Sequence, residues 1–293
     1  MIIGALEAGG TKMVCAIGDE KGNIYKRCQI PTDTPHITMP KLIDFYINEG
    51  IDALGIGCFG PIDPNKNSNT YGHITTTPKL PWRNYNIVKT FHDALNVPIG
   101  FDTDVNGAAL GEATWGSLKD CDVALYITIG TGIGVGVCIK QIPLHGLIHP
   151  EAGHILLKRV YNDDYKGTCP YHCDCFEGLA SGPAIEVRWG KKAYDLKEVS
   201  EVWELESSYI AQAITNYILC YSPSRIVLGG GVMHQEQLFP LIREKVIKYL
   251  NGYIDTKNIL EDIENYIAPP LLGEESGIKG ALVLGYQAYK NYS

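Results

Sequence analysis

The chain has 293 residues, enough for two domains or one large one, and its 45% hydrophobic and 20% charged content excludes a disordered polymer. With 33 acidic against 25 basic residues and a formal charge of −8, no basic run marks a nucleic-acid surface. An anionic ligand would therefore have to be held by local backbone N–H groups and a metal rather than by the global field. In chain order, Met1 to Leu6 reads as a short buried strand running into Glu7-Ala8-Gly9-Gly10-Thr11-Lys12. A second apolar run, Met13 to Ile17, makes a β-hairpin with it across the Gly-Gly turn, and Ile24 to Ile30 supplies a third strand. Met39 to Asn48 has helical period, and Ile51 to Phe59 is a strand ending at Gly60-Pro61-Ile62-Asp63-Pro64. Asn65 to Arg83 is polar and reads as a loop. Tyr85 to Leu95 reads as a helix, Val97 to Phe101 as a strand and Gly107 to Gly116 as a helix of small residues.

A second unit opens near Asp120. Val123 to Ile129 and Val135 to Ile139 read as strands around Gly130-Thr131-Gly132-Ile133-Gly134, which repeats the opening pattern and suggests a duplicated domain. Glu201 to Cys220 is a long helix, Arg225 to Leu228 a strand into Gly229-Gly230-Gly231, and Leu238 to Leu250 and Gly277 to Tyr289 are helices. No targeting segment or membrane span is expected. The nine cysteines point to a reducing compartment, so the expected location is the cytoplasm.

Three glycine turns each follow an apolar strand. Glycine lets the backbone approach a ligand and aim successive N–H groups at phosphate oxygens, and Thr11, Thr131 and Lys12 add donors. One such turn needs no ligand, whereas three at strand ends favour phosphate binding. The order Gly9-Gly10-Thr11-Lys12 is wrong for a Walker A loop, and Gly130 to Gly134 is followed by a strand-like run, which excludes a Rossmann fingerprint. At Asp102-Thr103-Asp104-Val105-Asn106, strand alternation would put Asp102, Asp104 and Asn106 on one face. A carboxylate acting as base beside an orienting amide suits phosphoryl transfer to a hydroxyl, although Asp and Asn also favour plain turns.

Cys169-Pro170-Tyr171-His172-Cys173-Asp174-Cys175, with His154 upstream, offers soft ligands at structural-zinc density. His154, Cys169, His172 and Cys175 form one Cys2His2 set, and on spacing alone Cys173 rivals Cys175. Four protein ligands would leave no open position, which makes the site structural.

Together these residues resemble the ROK family (repressors, open reading frames and kinases) of the actin-like ATPase superfamily, nearly end to end. Glu7 to Lys12 resembles its first phosphate loop, Thr103 to Asn106 with Gly111-Glu112 its catalytic segment, Gly130 to Gly134 its second phosphate loop, and Glu151-Ala152-Gly153-His154 with Cys169 to Cys175 its sugar and zinc motifs. Cys175 to Pro183 and Thr77-Pro78-Lys79-Leu80-Pro81-Trp82 are similar to the bacterial fructokinase subgroup.

The resemblance implies an α/β fold of two actin-like (ribonuclease H-like) ATPase domains with an interdomain cleft and a structural zinc site. Residues 1–118 plus 276–293 would form the N-terminal domain, and residues 119–275 the C-terminal one. It further implies ATP-dependent phosphorylation of D-fructose at the 6-hydroxyl, with ATP, Mg²⁺ and Zn²⁺ as cofactors and a homodimer as the assembly. Asp104 would be the general base, with Asn106, Glu151 and His154 around the sugar. Gly9, Gly10, Thr11, Lys12, Thr131, Gly132, Gly230 and Gly231 would hold the nucleotide. His154, Cys169, His172 and Cys175 would hold zinc, because Cys173 falls where relatives often carry glycine. Glu7 stands where many members have Asp, and would reach further toward the nucleotide's magnesium. The family's repressor branch carries a helix-turn-helix before this point. Here the first strand opens at residue 2, and neither a nucleic-acid nor a membrane partner is expected. A ROK kinase for glucose, mannose or an N-acetylated amino sugar, and a non-catalytic sugar sensor, are the alternatives.

Overall fold

The computed structural model describes residues 1–292. The chain forms two compact units, one of residues 1–119, 141–150 and 274–293, the other of residues 120–140 and 151–273. Residues 141–150, which the sequence reading groups with the second domain, cluster with the first unit.

The first unit opens with β1 (Ile3–Ala8), β2 (Lys12–Gly18) and β3 (Ile24–Pro31) as an antiparallel meander. Helix α1 (Pro35–Tyr46) starts on a proline, whose missing N–H costs nothing at a first turn. Strand β4 (Ala53–Cys58) pairs parallel with β1. The polar stretch that follows is less irregular than its composition suggests. It carries β5 (His73–Ile74), a 3-10 turn at Leu80–Trp82 and β6 (Tyr85–Asn86), which pairs with β5. The helix expected from Tyr85 begins two residues later, as α2 (Ile87–Leu95), because the Asn86 side chain caps it by accepting from the Lys89 N–H at 2.8 Å. Strand β7 (Ile99–Thr103) completes a sheet of order β3-β2-β1-β4-β7 and hands directly into α3 (Asp104–Trp115).

One face of this sheet holds a core of Leu6, Met13, Leu42, Ile56, Trp82 and Phe91. The other is covered by α3 and by α10 (Ser276–Tyr292, numbered after the helices of the second unit below), packed at backbone distance. A Cβ on Gly55 would lie 1.8 Å from the Ala281 carbonyl, and one on Gly280 would lie 1.6 Å from the Gly107 carbonyl. Such approach requires glycine, which explains why α3 is made of small residues and is buried almost all round.

The second unit repeats the plan. β8 (Val123–Ile129) and β9 (Ile133–Ile139) form an antiparallel hairpin, after which the chain passes through β10 (Ile142–Pro143) in the 141–150 excursion. Strand β11 (Arg225–Gly229) pairs parallel with β8, and β12 (Ile267–Ala268) with β11. The antiparallel hairpin followed by parallel neighbours matches the first sheet, as the repeated glycine-turn pattern suggests. Helices α4 (Phe176–Ala180) and α5 (Gly182–Trp189) are not evident in the sequence, since Gly182-Pro183 reads as a break. In the structure Pro183 occupies the first turn of α5, and Ser181 caps it by accepting from the Ala184 N–H at 3.3 Å. The long α6 (Ser200–Tyr221) and α7 (Leu238–Leu250) follow the expected periodicity, and α8 (Lys257–Leu260) and α9 (Ile263–Tyr266) are single turns before β12. Among the described residues, no helix is long and apolar enough to cross a membrane.

Candidate active site

In the first unit, the Gly9-Gly10 turn is closed by the Gly9 N–H donating to the Lys12 carbonyl at 3.1 Å. Thr32, just past β3, straps it: its hydroxyl donates to the Gly9 carbonyl at 2.7 Å and its N–H to the Thr11 carbonyl at 3.0 Å. Thr11 and Lys12 are exposed.

Asp102 and Asn106 do come together, but not through strand alternation, and Asp104 lies between them at the start of a helix. The strand stops at Thr103, whose hydroxyl caps α3 by accepting from the Asn106 N–H at 3.1 Å. Asp104 is thus the first residue of a helix, and its carboxylate accepts from the Val105 N–H at 2.8 Å. Asn106 follows two residues later and donates its side-chain N–H to Asp102 at 2.7 Å. That bond fixes the amide, so its carbonyl oxygen is the end left to accept from a ligand hydroxyl.

Burial raises the affinity of Asp104 for its proton. The neighbouring Glu7, on β1, is pushed up to about 7, chiefly by burial and then by the Asp104 charge, with Arg27 and Lys12 opposing. Two neighbouring carboxylates whose proton affinities burial raises are the arrangement expected where a cation or an acid–base role relieves them. Glu112, which the sequence groups with the catalytic segment, is fully buried and accepts from Ser276 and from the Ser117 N–H, both at 2.7 Å. It ties α3 to α10.

Two histidines escape the sequence reading. His145 pairs with the buried Asp102 at 3.1 Å, and that bond raises its pKa against the opposing effect of burial. His149, 3% exposed, accepts from the Ile62 N–H through Nε2 at 3.2 Å, and burial lowers its pKa. A search for carboxylates near Asp104 in sequence has no signal for them, because the 141–150 segment joins this unit only through the fold.

In the second unit the other two glycine turns are neighbours. A Cβ on Gly130 would lie 3.7 Å from the Gly231 N–H nitrogen. Gly230 has φ 89 and a Cβ there would strike Ile129 backbone at 2.5 Å, so only glycine fits, whereas Gly231 faces open space. Thr131 is exposed at the tip, and a side chain on Gly132 would meet the Glu177 carboxylate at 2.7 Å. Glu177 also accepts from the Ile133 N–H at 2.9 Å, bracing the turn from α4. Glu151 is exposed and its carbonyl accepts from the His154 N–H at 3.0 Å, in a single 3-10 turn that the Tyr217 hydroxyl holds through the Ala152 carbonyl at 2.6 Å.

The ligand atoms of His154, Cys169, His172 and Cys175 all lie within 4.8 Å of one another. Individual edges are 3.4 Å for His154 to Cys175, 3.6 Å for His154 to Cys169 and 3.7 Å for Cys169 to His172. Tetrahedral zinc with Zn–S near 2.3 Å and Zn–N near 2.0 Å requires edges of about 3.5 Å, and these three edges match that ion. Cys173 lies outside the set, exposed and with φ 52, at a turn where its N–H and carbonyl bond back to Cys169. The loop is anchored away from these ligands: Arg188 pairs with the buried Asp163 at 3.1 Å and donates to the Leu179 carbonyl at 3.0 Å.

The sequence matches the ROK family over residues 3–288. A Bacillus subtilis (strain 168) relative, provisionally named a fructokinase, is 53% identical over 98% of this chain and 96% of its own length. The fructokinase of Pediococcus pentosaceus is 46% identical over 99% of this chain and 100% of its own. Among solved structures, a ROK hexokinase from Thermus thermophilus superposes with a TM-score of 0.79, covering 99% of this chain and 100% of that one at 24% identity, a likeness of fold.

Proposed function

The chain belongs to the ROK family, and from that premise we propose that it is a fructokinase, transferring the γ-phosphoryl group of ATP to the 6-hydroxyl of D-fructose. The observation that carries the chemistry is Asp104, a carboxylate fixed at the first position of a helix with its proton affinity raised by burial. A base with raised affinity is matched to taking the hydroxyl proton as that oxygen attacks phosphorus in line. Asn106, its amide locked by Asp102, offers a carbonyl oxygen to a sugar hydroxyl. Glu151 and His154 take the sugar-binding roles that the family resemblance assigns them.

The Gly9 to Lys12 turn, and the turns carrying Thr131, Gly132, Gly230 and Gly231, supply N–H groups for the nucleotide's phosphates. They do so without a large positive field, in keeping with a net charge of −8. Magnesium bound with the nucleotide supplies charge to the transferring phosphoryl group. Glu7 is the carboxylate whose burial beside Asp104 fits such an ion. The Cys2His2 set fits structural zinc, which would fix the loop that begins at Glu151. We assign the protein to the cytoplasm, where nine free cysteines remain reduced, and a homodimer is the assembly to test by light scattering.

The testing experiment is a coupled ADP-release assay with ATP–Mg²⁺ against a panel of hexoses. Turnover on fructose well above glucose and mannose is the expected result. A preference for another hexose would overturn the substrate, and no turnover on any sugar by folded, metal-loaded protein would overturn the kinase reading.

A further inference from the structure

The segment Thr77 to Trp82 has no part in the chemistry above, yet it is built with care. Thr77 is fully buried; its hydroxyl accepts from the Lys79 N–H at 3.2 Å and its carbonyl from the Arg83 guanidinium at 3.2 Å. Trp82, 1% exposed, donates its N–H to the Lys79 carbonyl at 2.9 Å. Its indole N–H donates to the Asp33 carbonyl at 2.7 Å. The backbone of Lys79 is therefore pinned on both sides. Asp33 follows Thr32, the residue that straps the Gly9-Gly10 turn, so turn and lysine hang from the same exit of β3.

The Lys79 side chain crosses that turn. A Cβ placed on Gly10 would meet its Cε at 2.8 Å and its ammonium nitrogen at 3.8 Å. Lys79 is half-buried, and its ammonium has no ion-pair partner among the described residues. A positive charge held without an ion-pair partner over a glycine turn at a strand end is a site awaiting an anion. Lys12, the lysine of the turn itself, is by contrast exposed at the start of β2.

We propose that Lys79 binds the γ-phosphate of ATP and stabilises it during transfer, a catalytic role separate from the glycine turns. The inference rests on the kinase reading, and the position of Asp104 selects the phosphate. β1 and β7 flank β4 in one sheet, so the ends that carry Gly9-Gly10 and Asp104 lie one strand apart. The phosphate on this turn is then the one next to the attacking hydroxyl. A side chain at position 10 would push the end of Lys79 aside from this turn.

Lys79→Met keeps the aliphatic stem and removes the charge; Lys79→Arg restores charge with altered shape. Two quantities would be measured: fructose-dependent kcat, and the affinities for a non-hydrolysable ATP analogue and for ADP, both by calorimetry. In Lys79→Met we expect kcat to fall by about 100-fold or more, as for loss of one electrostatic contact to a transition state. Its preference for the ATP analogue over ADP should be lost and its melting temperature unchanged; Lys79→Arg should recover part of both losses. A methionine variant with wild-type kcat and an unchanged analogue-to-ADP preference would overturn the inference. If the wild-type protein turned over no sugar, the kinase reading would fall instead, and the analogue-to-ADP preference would still decide whether Lys79 holds a terminal phosphate.

Discussion

Replacing Asp104 by asparagine separates chemistry from architecture. The side chain keeps its shape, and its remaining carbonyl oxygen can still accept from the Val105 N–H, the 2.8 Å bond that now engages the carboxylate. The change also removes a charge from a place where burial penalises charge, and withdraws the repulsion that Asp104 exerts on Glu7. The ligand-free variant should therefore melt at the wild-type temperature or above it. Turnover should behave oppositely. An amide cannot take the proton of the attacking hydroxyl, and loss of a positioned general base costs about 10²- to 10⁴-fold, or roughly 3–5 kcal/mol in the barrier. The assay pairs ADP release at saturating fructose and ATP–Mg²⁺ with a thermal melt of the same sample. In the wild type, kcat should fall on the acid side as Asp104 gains its proton, and that limb should vanish from the residual activity of the variant. A folded Asp104→Asn protein within about tenfold of wild-type kcat would refute the assignment, because no base-dependent step could then limit the reaction.

The other predictions concern stability and metal. Gly280→Ala, whose Cβ would lie 1.6 Å from the Gly107 carbonyl, should destabilise the protein by about 3 kcal/mol or more in denaturant titration, because backbone rather than a pliable side chain must move. Purified protein should carry about one zinc per chain by elemental analysis, and Cys175→Ser should lose most of it while Cys173→Ser keeps it. Glu7 binds its proton more tightly folded, at about 7, than in the unfolded chain, near 4.5. Stability of the metal- and nucleotide-free protein should thus drop by about 3 kcal/mol as pH rises from 4.5 to 7 and then level off. Glu7→Gln should remove that dependence in melts across the range.

The regular elements were legible where one physical signal dominated. The opening hairpin shows as apolar runs around Gly-Gly, and α7 as a clean helical period whose bounds, Leu238–Leu250, match the expected ones. The catalytic segment was legible in composition but not in geometry. Alternation along an extended strand would align Asp102 with Asp104, whereas the Thr103 hydroxyl turns the chain into a helix at that very residue. Short helices beginning on glycine and proline, such as α5, carry too few residues to show a period, and tertiary packing alone makes them helical. His145 and His149 were invisible for another reason. They stand roughly 40 residues or more from the groups they touch, Asp102 and Ile62, and pattern reading does not span such separations.

The backbone-to-backbone seat of α10 has a consequence for biosynthesis. That helix belongs with the first 119 residues, yet every residue of the second unit lies between them in the chain. During translation the first sheet leaves the ribosome with the part of one face that α10 covers still bare, including Ala5, Val14 and Ala16. It stays so while more than half the protein is still being made. Its glycines at positions 55 and 100 offer no side chain to shield the gap, since they exist to admit the helix at contact distance. A nascent chain paused before residue 274 would thus present a completed second unit and an unsealed first one. The first unit is the natural target for a chaperone until the final helix is delivered.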